Sequence, residues 1–176
     1  MTMATQAQDW PADIHAAFGA ARITQLGYVP DAGHKRLIEL CESDPAIRTV
    51  PLTTEEEGIG LAAGAWLGGT RAALLMQSSG IGNCINMLSL AETCRFPVLM
   101  LVTMRGEYGE FNPWQVPMSR ATQPSLELMG ATVHRVTAPA EVGPCVAAAA
   151  RLAFASYRTV AVLLAQQLIG VKTFQK

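Results

Sequence analysis

Charged side chains are scarce in this chain: 15% of its 176 residues, with 13 Lys and Arg against 14 Asp and Glu for a formal net charge of -1. An average soluble domain carries roughly 25%. Near-zero net charge excludes an overall electrostatic footprint for nucleic acid or an anionic membrane, so any basic site must be local. The shortage of polar surface in runs such as 61–66 and 146–150 points instead to a buried interface. Cysteine is also thinly used. Cys41, Cys84, Cys94 and Cys145 form no CxxC pair and have no His at ligand spacing, which excludes a zinc ribbon or a redox motif. They read as reduced core thiols, and no metal ligand set is expected on the chain. No apolar stretch reaches the ~18 residues of a membrane span. The first fifteen residues lack a basic stretch followed by an apolar run, so the expected compartment is the cytoplasm. The turn around Gly80 and Gly82 has Ile85 where a GxGxxG fingerprint needs its third glycine, and no Walker lysine follows. A nucleotide-binding regulatory protein is thereby disfavoured.

What remains is half apolar and long enough for one α/β domain with its own core, 1–176. Short apolar runs at 28–29, 48–52, 72–77, 98–103, 132–136 and 159–164 read as strands. Between them, 13–25, 33–42, 55–67, 82–94, 124–129 and 140–157 read as helices. Such alternation predicts βαβ units: a doubly wound, mostly parallel sheet of about six strands with helices on both faces. In sheets of this kind ligands bind outside the carboxyl ends of the strands, which directs attention to four loops.

Asp31 and His34 follow the first strand and suit an acid and a base near a ligand; they also suit a turn aspartate and an exposed helix-start histidine. Glu55, Glu56 and Glu57 follow the second strand, with Thr53 and Thr54 available as caps. Carboxylates there satisfy the helix macrodipole, but three in a row exceed that need. The small residues behind them, including Gly58, Gly60 and Gly64, permit close approach of another backbone. Gln77, Ser78, Ser79, Gly80, Ile81, Gly82 and Asn83 form a strand-to-helix turn whose amides can approach a ligand. Residues 104–122 read as a loop of roughly nineteen residues, beyond the ~12 to 15 of an ordinary connection. It carries Arg105, Trp114 and Gln115; an arginine there suits bidentate capture of a carboxylate, sulfonate or phosphonate, or pairing with Glu107 or Glu110 at the surface.

In order along the chain, Val29-Pro30-Asp31, Thr54-Glu55-Glu56-Glu57-Gly58, Leu75-Met76-Gln77-Ser78-Ser79-Gly80-Ile81-Gly82-Asn83 and Arg105-Gly106-Glu107 resemble the pyrimidine-binding domain of thiamine diphosphate enzymes. Within that superfamily the likeness is to phosphonopyruvate decarboxylase and the alpha subunit of sulfopyruvate decarboxylase. The resemblance implies that a glutamate at the helix start hydrogen-bonds the cofactor's aminopyrimidine and activates it. Aligning Ala62, Ala63 and Trp66 with the family's pattern implies Glu56 in that role, and Glu55 or Glu57 if the register slips by one. It also implies that Gln77, Ser79, Gly80, Gly82 and Asn83 lie beside the cofactor. Asp31 takes a position near the reacting carbon, and Arg105, Gln115 and His34 face the substrate.

The family's other domain holds magnesium and diphosphate with Gly-Asp-Gly followed by a downstream Asn, a pattern this chain lacks. The resemblance therefore implies a beta subunit that carries this second domain and the Mg2+, in an alpha2beta2 or larger assembly with the cofactor bridging the interface. The expected activity is decarboxylation of an anionic 2-oxoacid. The rivals are a carboligase or oxidoreductase sharing this domain, and a non-catalytic assembly module.

Overall fold

The computed structural model describes residues 8–171. Its strands are β1 (Ile23–Tyr28), β2 (Arg48–Pro51), β3 (Arg71–Gln77), β4 (Val98–Thr103), β5 (Thr132–Val136) and β6 (Thr159–Leu164). Its helices are α1 (Trp10–Ala20), α2 (Lys35–Glu42), α3 (Glu56–Leu67), α4 (Ile81–Cys94), α5 (Gln115–Leu128), α6 (Pro139–Ser156) and α7 (Gln166–Ile169). The strands form one sheet in the order β2-β1-β3-β4-β6-β5, and every pairing is parallel.

The period-2 alternation of side chains builds two cores, one on each face. Ala73, Leu75, Leu99, Leu101, Val160 and Val162 pack with Ile14 and Phe18 of α1, Leu37 of α2 and Val146 of α6. Their neighbours Leu74, Met76, Met100, Val102, Ala161 and Leu163 pack with Ile59 of α3, Cys84 and Leu88 of α4 and Leu126 of α5. Strands buried on both faces cannot show a polar alternation, which is why 98–103 and 159–164 read as unbroken apolar runs.

Three sequence expectations are corrected. Helix 13–25 ends at Ala20: Arg22 takes a left-handed φ of 56°, and the chain then pairs with β2 and β3 as a six-residue strand rather than the two residues 28–29. Propensity yields there to tertiary pairing. The connection 104–122 is half helix, because α5 begins at Gln115 and carries Pro124 inside it. Pro124 disguises the helical pattern by removing one internal N–H. Of the four thiols, Cys41 and Cys84 are core residues, Cys145 is half-buried and Cys94 is exposed at the end of α4.

The small residues of α3 divide by helical phase. A Cβ at Gly58 would meet the Leu74 side chain at 3.0 Å, so glycine there lets α3 sit close on the sheet. Gly60 and Gly64 face outward with open space around them, and Leu67 on the same helix is 87% exposed.

Candidate functional site

The adjacent strands β1 and β3 send their connections in opposite directions: the one leaving β1 crosses one face through α2 to β2, and the one leaving β3 crosses the other face through α4 to β4. The crevice outside the carboxyl ends of β1 and β3 is therefore the topological switch point, where doubly wound sheets bind ligands. Asp31 lies in the loop just after the first of these strands, and Gln77 ends the second, with residues 78–83 following it.

The two are tied together. Gln77 Nε2 donates to Asp31 Oδ1 at 3.0 Å, and Thr103 Oγ1 donates to Asp31 Oδ2 at 2.7 Å. The Gly33 amide adds a third donor at 3.1 Å, forming an Asx-type turn into the short 3-10 segment Ala32–His34. Ser79 Oγ in turn donates to Gln77 Oε1 at 3.1 Å. Asp31 is thus half-buried and holds the ends of β1, β3 and β4 in one network, which Thr103 was not expected to join. Its signal was a lone threonine closing an apolar strand.

The structure separates the three glutamates. Glu57 accepts from the Thr53 amide at 2.8 Å, a local cap across the first turn of α3. Glu56 accepts from Thr54 Oγ1 at 2.5 Å, and that hydrogen bond holds its carboxyl below the usual carboxylate range. Glu55 reaches the β3–α4 turn: its Oε2 accepts from Asn83 Nδ2 at 2.7 Å, and its carboxyl group lies against Gly80. Its Oε1 takes no hydrogen bond among the described residues. Only one of the three therefore meets the turn that the sequence singled out, and it is not the one chosen by alignment.

His34 is a correction. Expected to face substrate, it is fully buried beneath the sheet end, with Nε2 against the Leu101 carbonyl at 3.1 Å. Burial lowers its pKa, favouring the neutral ring of a core histidine.

Arg105 is likewise inward. Its Nε and Nη2 donate to the two oxygens of Glu110 at 2.6 Å each, and the two side chains are 9% and 3% exposed. The expected surface pairing is thus a buried one, and this bidentate grip occupies the fork that was read as open for a substrate anion. The Gly106 and Asn112 amides and Gln166 Nε2 also donate to Glu110. The guanidinium and these donors hold Glu110 down to about 2. Gln166, 1% exposed, accepts from the amides of Glu107 and Tyr108, while the Glu107 carboxylate accepts from the Gln166 amide and from Arg135. The β4–α5 loop is therefore strapped to the start of α7. Nothing local announced Gln166, which lies 56 residues after Glu110. Gln115 stands beside this loop, its carbonyl against Gly106, and its side-chain Oε1 is buried without a hydrogen-bond partner among the described residues. The Arg105 amide donates to Ser78 Oγ at 3.1 Å, which joins the loop to the β3–α4 turn.

Among the described residues no cluster of three His, Cys, Asp or Glu side chains could hold a metal ion, and no helix is long and apolar enough to cross a membrane.

No family model matches the chain. It is 39% identical over 152 residues to sulfopyruvate decarboxylase subunit alpha of Methanothermobacter thermautotrophicus, an alignment covering 86% of this chain and 92% of that protein. To the subunit of the same name from Methanocaldococcus jannaschii it is 39% identical over 129 residues, covering 73% of this chain and 76% of the other. Phosphonopyruvate decarboxylase of Streptomyces viridochromogenes is 39% identical over 119 residues, where 66% of this chain matches 30% of that longer protein. Among solved structures, 2-oxoglutarate:ferredoxin oxidoreductase from Magnetococcus marinus superposes with a TM-score of 0.71 at 13% identity, covering 91% of this chain and 29% of that one. That likeness shows a shared fold.

Proposed function

The chain belongs to the sulfopyruvate decarboxylase alpha-subunit family, and from that premise we propose that it is the alpha subunit of a thiamine diphosphate-dependent decarboxylase. Its proposed substrate is a three-carbon 2-oxoacid with an anionic substituent, sulfopyruvate or phosphonopyruvate, converted to the corresponding aldehyde and carbon dioxide. When bound, the cofactor supplies a nucleophilic carbon and an electron sink for the departing carboxylate. This chain would act as a single pyrimidine-binding domain. Diphosphate and Mg2+ would be held by a beta subunit, and the relatives' description as subunit alpha supports a partner. The outward stripe of Gly60 and Gly64 next to exposed Leu67 supports an interface on α3.

The observation that carries the reading is Glu55. A carboxylate meant to engage a ring nitrogen needs one oxygen fixed by the protein and one left free, and Glu55 has this arrangement. We therefore assign the activating role to Glu55, whose carboxylate is fixed at the β3–α4 turn by Asn83 and Gly80, in place of Glu56, whose carboxylate is held by Thr54 two residues before it. The turn 77–83 would supply main-chain contacts through Ser79, Gly80 and Gly82. Asp31, fixed by its three donors, would keep Gln77 and the β1 end in place beside the reacting group. Arg105 would shape the substrate end of the site by holding the β4–α5 loop, with Gln115 offering its unpaired Oε1 as an acceptor.

The test is decarboxylation of sulfopyruvate and of phosphonopyruvate by this chain mixed with a candidate partner carrying Gly-Asp-Gly and a downstream Asn, with thiamine diphosphate and magnesium. Turnover that requires both chains, collapses in Glu55→Gln and survives in Glu56→Gln is the expected result. Collapse in Glu56→Gln alone would return the role to Glu56. Full turnover in both variants would sink the carboxylate assignment.

A further inference from the structure

Asn83 occupies the third position of α4, where an asparagine amide ordinarily competes for local backbone groups. Here it does not cap its own helix, since the α4 N-terminus has no side-chain cap. Its Nδ2 instead donates to the carboxylate of a residue 28 positions earlier, Glu55 Oε2 at 2.7 Å. A second feature fixes the same carboxylate. An ideal Cβ built on Gly80 would lie 2.4 Å from Glu55 Cγ, Cδ and Oε1, so the glutamate fills the space that any side chain at position 80 would need. A free glutamate side chain samples many rotamers. Between the Gly80 backbone and the Asn83 amide, this one is held in a single orientation with Oε1 left open.

We propose that Asn83 is a positioning residue for Glu55, acting on the reaction through that carboxylate rather than by contact with the cofactor. This deepens the preceding assignment and rests on it. The chemistry of the donor matters. A lysine or arginine in the same place would form an ion pair and cancel the carboxylate's charge, whereas a neutral amide orients the group and leaves the charge available. Misplacement of a reacting group by about 1 Å costs on the order of 100-fold in rate, and that sets the size of the expected effect.

The first readout needs no activity. In the full-length chain labelled with 15N, the Asn83 side-chain NH2 pair is identified by its loss in Asn83→Ser, and Glu55→Gln is expected to shift that pair. The second readout uses the complex with the partner subunit, thiamine diphosphate and magnesium. Asn83→Ser is expected to lower kcat roughly 10- to 100-fold with the cofactor's Kd changed less than about threefold, and to have no further effect in the Glu55→Gln background. Asn83→Leu, close in size and lacking the donor without adding a charge, should reproduce the loss if the serine variant folds poorly. An NH2 pair indifferent to Glu55→Gln, or an Asn83 effect undiminished in the Glu55→Gln background, would overturn the proposal. Full turnover in Glu55→Gln would instead overturn the role assigned to Glu55 itself, so the two failures are separable.

Discussion

Glu110 closes both carboxylate oxygens on the guanidinium of Arg105, at 2.6 Å each, with the pair almost wholly out of solvent. Two ions taken from water are stable only when their remaining bonds are satisfied, and here the Gly106 and Asn112 amides and Gln166 satisfy those of the carboxylate. The pair therefore acts as a strap for the β4–α5 loop.

Removing one partner leaves the other charge buried and alone. Glu110→Gln is expected to destabilise the chain by about 3 kcal/mol or more, read as a lower urea midpoint. An unchanged midpoint would mean that the loop tolerates an open strap.

The pH dependence follows from the depressed carboxyl. Glu110 titrates at about 2 in the folded chain against an ordinary value of 4.5. Its contribution is therefore complete above the unfolded value and is lost as pH falls through the folded one. The stability gap between wild type and Glu110→Gln should be constant near neutrality and should narrow between about pH 4.5 and about pH 2. Paired thermal melts across that window check it; a gap that persists at the acid end would contradict the assignment.

Gly106 has a φ of +78°, and a Cβ there would lie 2.3 Å from the Gln115 carbonyl oxygen. Both the left-handed backbone and the contact with main chain oppose any side chain. Gly106→Ala should cost about 1 to 3 kcal/mol and expose the loop to limited proteolysis. Cleavage at the wild-type rate would show that the α5 start can move aside cheaply.

Thiol reactivity should split the cysteines. Burial pushes Cys41 and Cys84 up to about 12 and also raises Cys145, while Cys94 is exposed. Since the thiolate is the nucleophile, iodoacetamide at neutral pH should label Cys94 first, with Cys41 and Cys84 labelled only on unfolding. Peptide mass mapping over time provides the check, and early labelling of Cys84 would indicate opening between α4 and the sheet.

The sequence by itself determined the layers of this protein. Unbroken apolar runs at β3, β4 and β6 can be satisfied only when both sheet faces are covered, and the alternating helical segments between them supply that cover in a parallel sheet. It also determined which loops gather at the strand ends, so Asp31, the glutamate triplet and the turn after Gln77 were legible as neighbours before their geometry was known. Tertiary structure alone decided their phase. Successive residues on a helix differ by about 100°, so the packing of α3 through Gly58 on Leu74 turned Glu55 to the Gly80 turn and Asn83, while Glu56 met Thr54, two residues before it. The same holds for His34, buried where a helix-start histidine suggested exposure, and for Arg105, whose carboxylate partner is fixed in turn by a glutamine far along the chain. Periodicity is a property of neighbouring residues, but orientation and partnership depend on groups that meet only when the sheet has closed.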